Sequence, residues 1–290
     1  MDTLFDYIKW RGDLSFSQVG LGEADSVMLS MLSYIDFDKL CGGKEMPLIS
    51  AAADYCGDGK YDSVNLGLIM PSKQINRMFC EMAKTRRYAQ TVISDYDSQT
   101  SAEEGYQFAA MVCHLSACQM AVIFRGTDDS IVGWREDCCL AFLDEIPAQR
   151  MAVEYLEAVA AKYPEKKIYI MGHSKGGNLA VYSALKCSKD VRSRIIRAFC
   201  NDGPGLSREM VDSPEYAEVE EKLTLLLPQS SYIGTMFERG EKYSVVVSRG
   251  NGIFQHDPYT WSLRGPRFLK LKTLSNKGKK NEEQFRKSME

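Results

Sequence analysis

Residues 172–176 read Gly-His-Ser-Lys-Gly, the pattern G-x-S-x-G in which a serine can be presented as a nucleophile. Residues 168–171 are apolar or aromatic and predict a short buried strand, and residues 179–185 repeat apolar side chains at helical spacing. A strand, a sharp turn and a helix would hold Ser174 at the apex in a strained conformation. Glycine would flank it because strand and helix cross too closely for a Cβ. The alternative is a glycine-rich turn with a serine cap or a phosphate loop, but neither nucleotide-binding glycine pattern surrounds Ser174.

A serine hydroxyl needs a general base within hydrogen-bond reach, and the chain contains three histidines. His173 adjoins the nucleophile, and we expect its side chain to point away from the position of a base. His114 lies in a run that alternates like a strand, which is typical of a packed histidine. His256 lies in a loop beyond the last strand of the αβ series, where a base would be delivered, so elimination favours His256. A turn-capping role for His256 stays open, because His-Asp-Pro also begins turns.

The third member of such a site is a carboxylate that orients the imidazole and stabilises its charged form. Asp202 follows the strand after the predicted elbow helix and gives the chain order Ser…Asp…His. The segment Asp-Gly-Pro-Gly that begins there is also a good turn without any catalysis, so a structural role for Asp202 stays open. Asp257 is poorly placed because adjacent residues rarely present side chains to each other. Asp212 and Glu238 remain further candidates.

An oxyanion hole needs two donors that point at the developing negative charge. One would be the backbone N–H of Lys175, directly after the nucleophile. The second would come from the loop at residues 124–127, where Gly126 permits a close approach and Thr127 offers an amide and a hydroxyl. A plain Gly-Thr turn at the end of a strand is the alternative interpretation.

The elements that must position these residues are predicted from periodicity. Residues 88–94, 105–115 and 119–124 indicate an antiparallel meander, and strands alternate with helices after residue 145. Such alternation predicts an α/β fold with a parallel sheet and right-handed crossovers. We expect one domain over residues 1–270, in which 1–22 wrap the surface, followed by a polar, mobile tail at 271–290.

Composition narrows the function classes. The net charge of −3 gives no basic surface for nucleic acid. Nine cysteines at irregular spacing, without a C-x-x-C pair and with three histidines, argue against a zinc site, and we expect no metal and no organic cofactor. This use of cysteine, the acidic start of the chain and the lack of an apolar run near 18 residues predict a soluble, cytoplasmic protein without a transmembrane segment.

A resemblance to a known family rests on these motifs. Residues 124–127 (F-R-G-T) and 172–177 (G-H-S-K-G-G) are similar to the paired motifs of class 3 (fungal-type) lipases. Over residues 1–270 the chain more closely resembles an uncharacterised bacterial family of lipase-like α/β-hydrolases, a domain of unknown function. Further shared segments lie at 6–8, 32–34, 202–205, 228–231 and 255–258. The resemblance implies an α/β-hydrolase fold, with a mostly parallel central sheet flanked by helices and the meander before the F-R-G-T loop. It also implies that Ser174 is the nucleophile, His256 the base, and Thr127 and Lys175 the oxyanion donors.

The chain departs from the class 3 pattern at three points. Residues 225–228 (Leu-Leu-Leu-Pro) replace the segment that usually carries the catalytic aspartate, so the acid must come from elsewhere, such as Asp202, or be missing. Lys175 stands where leucine is usual; its charge would lie near the mouth of the site and favour an anionic acyl or head group, or simply reach solvent. A long apolar lid segment is not evident, which disfavours triglyceride as a substrate.

Two functions follow. The first is a serine-dependent esterase or lipase-like acyl hydrolase that acts on a small acyl ester or lipid through an acyl-Ser174 intermediate, with thioesterase or amidase activity also open. The second, motivated by the missing acid, is a catalytically impaired hydrolase scaffold that binds a lipid, peptide or protein partner.

Overall fold

The computed structural model of the protein describes residues 1–57, 71–128, 131–140 and 143–289. Its strands are, in chain order, β1 (Met46–Pro47), β2 (Val92–Ser101), β3 (Tyr106–His114), β4 (Gln119–Phe124), β5 (Lys167–His173), β6 (Ile195–Asn201), β7 (Leu223–Pro228), β8 (Tyr243–Val246), β9 (Leu263–Arg264), β10 (Arg267–Phe268) and β11 (Lys270–Leu271). Within these ranges nine strands form one sheet in the order β1-β2-β3-β4-β5-β6-β7-β8-β11, and β9 pairs with β10 alone.

The sheet is mixed, which corrects the expectation of a mostly parallel one. Strands β4 to β8 pair in parallel, whereas β1 to β4 and the pair β8–β11 are antiparallel. Short turns join β2, β3 and β4 and permit only antiparallel neighbours, while the chain between β4 and β7 includes helices that allow parallel crossovers. The carboxyl ends of β4, β5, β6 and β7 therefore meet at one edge of the sheet.

Helices cover both faces of the sheet. They are α1 (Leu4–Arg11), α2 (Glu23–Leu32), α3 (Phe37–Cys41), α4 (Leu48–Gly57), α5 (Ser72–Ala83), α6 (Ile131–Cys139), α7 (Pro147–Lys162), α8 (Lys175–Lys186), α9 (Lys189–Arg194), α10 (Arg208–Val211), α11 (Pro214–Val219) and α12 (Asn276–Met289). Ile168 and Ile170 of β5 pack with α7 and α8, whereas Tyr169 and Met171 pack with α1, α2 and α5. This alternation gives one apolar core on each face. In the described parts of the chain, no helix combines the length and apolarity needed to cross a membrane.

Both ends of the chain contain helices that the sequence analysis did not predict. Leu4, Tyr7 and Ile8 of α1 are buried in the core, so the N-terminal segment is more than a surface wrap. Residues 276–289 form α12, and the amide of Asn281 donates to the backbone carbonyls of residues 230 and 231. Phe285 packs edge-on against Phe237. Residues 276–289 are thus helical and contact the rest of the protein. The mobility of the tail and the division of the chain into a domain and a tail stay predictions.

A disulfide joins Cys56 at the end of α4 to Cys80 of α5. The cysteine spacing did not indicate this pair, because 24 residues separate the two thiols and neither belongs to a recognisable motif. The cytoplasmic location stays a prediction.

Candidate active site

The turn between β5 and α8 has the geometry of a nucleophile elbow. Ser174 adopts a φ of 56° and a ψ of −133°, a conformation that costs a non-glycine residue about 1–3 kcal/mol. A Cβ on Gly172 would lie 2.1 Å from the backbone of Gly176, and a Cβ on Gly176 would lie 2.2 Å from the carbonyl oxygen of Phe124. The backbone of β5 therefore touches α8 at Gly172, and α8 touches the end of β4 at Gly176, which explains both glycines of the motif.

The segment that follows β6 packs directly on this turn. The backbone N–H of Ser174 donates to the carbonyl of Asn201 over 3.1 Å, and the carbonyl of Ser174 accepts from the N–H of Gly177 over 2.8 Å. A Cβ on Gly203 would lie 2.6 Å from the carbonyl oxygen of Ser174. Asp202 lies between these two contact points, so the candidate acid and the candidate nucleophile belong to touching loops.

His256 and Asp202 form a direct contact. His256 ends the 3₁₀ turn Gly252–His256, and its Nδ1 lies 2.7 Å from Oδ2 of Asp202. The two side chains are 11% and 1% exposed, respectively. A carboxylate accepts this hydrogen bond from Nδ1–H, which leaves Nε2 with a free lone pair. The imidazole is thus held in the tautomer that a general base requires.

The Asp202 carboxylate is itself held in place. The residue has a φ of 52°, and its backbone N–H donates to the carbonyl of Leu226 over 2.8 Å. Its Oδ1 accepts hydrogen bonds from the Ser231 hydroxyl at 2.5 Å and from the Gly234 N–H at 3.2 Å. A Cβ on Gly234 would lie 2.4 Å from Oδ1, so this close approach requires glycine. Sequence reasoning did not foresee these two partners, which lie between β7 and β8.

The other candidate acids make different contacts. Oδ1 of Asp257 accepts from the N–H of Tyr259 over 2.9 Å, and burial raises the pKa of this carboxyl. Glu238 forms an ion pair with Arg208 at 2.8 Å. Asp212 directly follows α10, and its backbone N–H donates to the carbonyl of Arg208 over 3.0 Å. Among these candidates, Asp202 is therefore the one whose carboxylate forms a hydrogen bond with the His256 ring.

His173 contacts both the backbone and the ring of His256. Its Nε2 donates to the backbone carbonyl of His256 over 2.9 Å, and the two ring centroids are 4.4 Å apart. Burial, and then the positive charge that His256 carries when it is protonated, hold the pKa of His173 well below its usual range, so this ring is neutral. Because Nε2 carries the proton, Nδ1 is unprotonated, and it has no hydrogen-bond partner among the described residues. His173 is fixed by the loop and is not available as the base.

His114 is a packed residue that pairs with Met120 near the start of β4, at the end of the sheet opposite Ser174. Its Nε2 lies 2.8 Å from the Ser94 hydroxyl, and its ring packs against Tyr163. Burial lowers its pKa. Glu45, Asp95 and His114 bring potential metal-ligand atoms within 4.8 Å of one another. The ammonium of Lys162, 2.5 Å from Asp95, already neutralises this carboxylate.

The loop at residues 124–127 packs against the elbow. A Cβ on Gly126 would lie 2.3 Å from the Tyr34 hydroxyl, 2.6 Å from the carbonyl oxygen of His173 and 3.1 Å from Cβ of Ser174. Thr127 is 7% exposed. The backbone at Gly126, one residue before Thr127, thus lies against the elbow. The role of Thr127 as the second donor stays a prediction.

The side chain of Lys175 lies inside the protein, which corrects both expectations for its charge. Its Nζ donates to Oε2 of Glu136 at 2.7 Å and to the backbone carbonyl of Gln107 at 2.8 Å, and the ion-paired side chains are each 1% exposed. The charge therefore neither lies at the mouth of the site nor reaches solvent. Glu136 was missed because residues 131–139 carry little apolar periodicity.

A cavity of about 460 Å³ lies beside the N-terminal half of α8. Ser174 and His256 do not line it, but Asn178, four residues after the nucleophile, and Gly205, three residues after Asp202, do. Its apolar lining comes from Leu140, Leu143, Leu206, Met210, Phe237, Tyr243 and Phe285. The Asn178 side chain is satisfied by Gln149 at 2.9 Å and by the carbonyl of Gly205 at 2.7 Å. This volume is within the range of small-molecule sites.

Comparison with known proteins gives one family and several solved structures. The model of the Mbeg1-like family matches residues 82–290. Among solved structures the chain is similar to M37 lipase (15% identity, 72% of this chain and 68% of that one, TM-score 0.43). It is also similar to a Rhizomucor miehei lipase in a propeptide complex (14%, 78% and 77%, 0.40) and to lipase II from Rhizopus niveus (11%, 72% and 71%, 0.41). No curated protein matches the chain.

Proposed function

The chain belongs to the Mbeg1-like family, which is lipase-like, and from that premise we propose that the protein is a serine-dependent acyl hydrolase with an α/β-hydrolase fold. Ser174 is the nucleophile, His256 the general base and Asp202 the acid that orients it. The observation that carries this proposal is the 2.7 Å contact between Nδ1 of His256 and Oδ2 of Asp202, formed on loops that touch the strained turn at Ser174.

The proposed acylation step uses the free lone pair of His256 Nε2. This nitrogen takes the proton of the Ser174 hydroxyl as Oγ attacks the carbonyl carbon of the substrate, and a tetrahedral intermediate forms. The imidazolium is stabilised by the buried Asp202 carboxylate. As the intermediate collapses, His256 returns the proton to the departing alcohol, thiol or amine, and the acyl group remains on Ser174.

In deacylation, water takes the place that the serine hydroxyl had in acylation. It loses a proton to His256 Nε2 as it attacks the acyl carbon. As the second tetrahedral intermediate collapses, Ser174 Oγ leaves and takes the proton back from His256, and a carboxylic acid is released. In both steps the oxyanion accepts hydrogen bonds from the backbone N–H of Lys175 and from Thr127. The close packing of Gly126 on the elbow supports this pairing of donors.

The proposed substrate is a small acyl ester or a lipid. The cavity beside α8 offers room for an acyl chain along the part of its wall that leucine and aromatic side chains form, where the Asn178 amide is already hydrogen-bonded. Seven charged side chains also line the cavity, among them Arg208, Arg239 and Arg286. The same proton transfers serve thioesters and amides. A panel of the three leaving groups would identify the class.

The alternative of a non-catalytic scaffold was motivated by the lack of an acid in residues 225–228. Asp202 contacts His256 from the end of the preceding strand, β6, and removes that motive. The serine-hydrolase proposal is therefore the better supported of the two.

Ester turnover by the wild-type protein and by Ser174→Ala and His256→Ala tests the proposal. We expect each substitution to reduce turnover by about 10³-fold or more, because each removes one half of the nucleophile–base pair. Full activity in either variant would contradict it.

A further inference from the structure

A buried ion pair lies directly behind the proposed nucleophile. Lys175 is the first residue of α8, and its side chain runs inward to Glu136 on α6, where Nζ and Oε2 are 2.7 Å apart. Oε1 of Glu136 accepts from the backbone N–H of Ala148, near the start of α7, over 3.1 Å. The pair therefore joins the first turn of α8 to two other helices.

The same pair reaches the loop that carries Thr127. Oε2 of Glu136 accepts from the backbone N–H of Gln107 at 3.1 Å, and Nζ of Lys175 donates to the backbone carbonyl of Gln107 at 2.8 Å. The side-chain Oε1 of Gln107 accepts from the N–H of Asp128 over 3.4 Å and lies 3.4 Å from Nζ of Lys175. Residues 127 and 175 are thus each tied, directly or through one neighbour, to one buried network.

An apolar pair would fill this volume without the cost of removing two charges from water, and such replacements are often neutral or stabilising. What an apolar pair lacks is the directional set of hydrogen bonds to Gln107, Ala148 and, through Gln107, Asp128. We propose that the Lys175–Glu136 pair is a positioning device that fixes the separation of the two oxyanion donors, the N–H of Lys175 and Thr127. This role rests on the proposed serine chemistry.

The pair acts through the donors and does not touch the substrate. Its loss should therefore slow steps that build negative charge on the substrate oxygen and leave ground-state binding largely unchanged. A pair with only a packing role would affect stability alone.

The test compares three proteins: wild type, Lys175→Met and the double variant Lys175→Met with Glu136→Met. The readouts are the temperature of thermal unfolding and the rate constant for phosphonylation of Ser174 by a fluorophosphonate, followed by intact mass. Lys175→Met leaves Glu136 buried without its counter-ion, so we expect lower stability and labelling slowed by about 10- to 100-fold. The double variant should regain stability but remain slow.

Two further variants sharpen the test. Glu136→Gln keeps the side-chain volume and an acceptor for Ala148, and it should also label slowly. It provides the test if the double variant does not fold. Arg87→Met breaks the other buried pair of the described residues, that with Asp25, in which both side chains are 0% exposed. We expect it to lower stability without slowing the labelling of folded protein.

A stable double variant, or a folded Glu136→Gln variant, that labels at the wild-type rate would overturn the inference and leave the serine mechanism standing. Absence of labelling in the wild-type protein would instead overturn the proposed function, and the inference with it. For an ester that is turned over, the expected signature is a fall in kcat with KM within about twofold of wild type.

Discussion

His256 and Asp202 are 54 residues apart in the chain, and Nδ1 of the imidazole lies 2.7 Å from Oδ2 of the carboxylate. The carboxylate is almost fully buried, and two donors from the segment after β7 hold its other oxygen. A buried carboxylate in that position selects one imidazole tautomer and stabilises the imidazolium that forms when the base takes a proton.

Asp202→Asn tests this relationship. Asparagine tolerates the positive φ of position 202, so the backbone should be preserved while the charge and the tautomer preference are lost. We expect turnover to fall by roughly 10³- to 10⁴-fold. Steady-state kinetics on an ester panel would measure the change.

Asp257→Asn is the matched control for that substitution. Its carboxylate also adjoins His256 in the chain, but it accepts from the N–H of Tyr259, a bond that an asparagine oxygen can also accept. Activity within about fivefold of wild type is expected, since the change touches no group that takes part in proton transfer. Equal losses in the two variants would contradict the assignment of Asp202.

Gly126→Ala tests the approach of the F-R-G-T loop to the elbow. The new Cβ would lie 2.3 Å from the Tyr34 hydroxyl and 2.6 Å from the carbonyl of His173, so the loop must move away from Ser174. Displacing one oxyanion donor should reduce kcat by about 10²-fold. Gly20→Ala is the control, because no atom lies within 4 Å of the added Cβ, and its kcat should equal that of wild type. A Gly126→Ala variant with wild-type kcat would show that this loop does not contribute to the oxyanion hole.

His173 should make the protein sensitive to acid. Its folded pKa is lowered by burial, so below the unfolded value of about 6.5 the unfolded chain binds a proton that the folded protein does not. Stability should therefore fall as pH decreases from about 7 to 5, by at most about 1.4 kcal/mol per pH unit from this group. In His173→Gln, urea unfolding should show a shallower pH dependence than in wild type. Parallel curves would show that the ring binds its proton equally in the folded and unfolded states, which would contradict a lowered pKa of His173.

The cavity beside α8 should set the preference for acyl chain length. Met210→Trp would fill part of it, and we expect the ratio of kcat/KM for dodecanoyl over acetyl esters to fall by about tenfold, the scale of one to two lost methylene contacts. Leu271→Trp, at a position that is 46% exposed, serves as the control. An unchanged ratio in Met210→Trp would separate the cavity from the acyl site.

Local patterns predicted the parts of the site that depend on short stretches of sequence. The elbow was predicted from an apolar strand, two glycines and an apolar helix, all within residues 168–185. His256 was predicted by elimination among three histidines. Asp202 was predicted only from chain order, because a turn-forming segment such as Asp-Gly-Pro-Gly carries the same residues with or without a histidine beside it.

Long-range pairings were not predictable in the same way. The partner of Lys175 is Glu136, 39 residues away on a helix with weak periodicity, and nothing local distinguishes that glutamate from an exposed one. The helix α12 was missed because its sequence is strongly polar; a few contacts, such as those of Asn281 and Phe285, dock it against the domain. In each case the fold supplies the partner after the local element has formed.

Intact-mass labelling of the wild-type protein with a fluorophosphonate tests the central claim most directly, since the probe reports an activated serine without a known substrate. A single adduct on Ser174, absent in Ser174→Ala and strongly reduced in His256→Ala, is the expected result. A folded wild-type protein that forms no adduct, or an adduct that persists in Ser174→Ala, would contradict the assignment of Ser174 as the nucleophile.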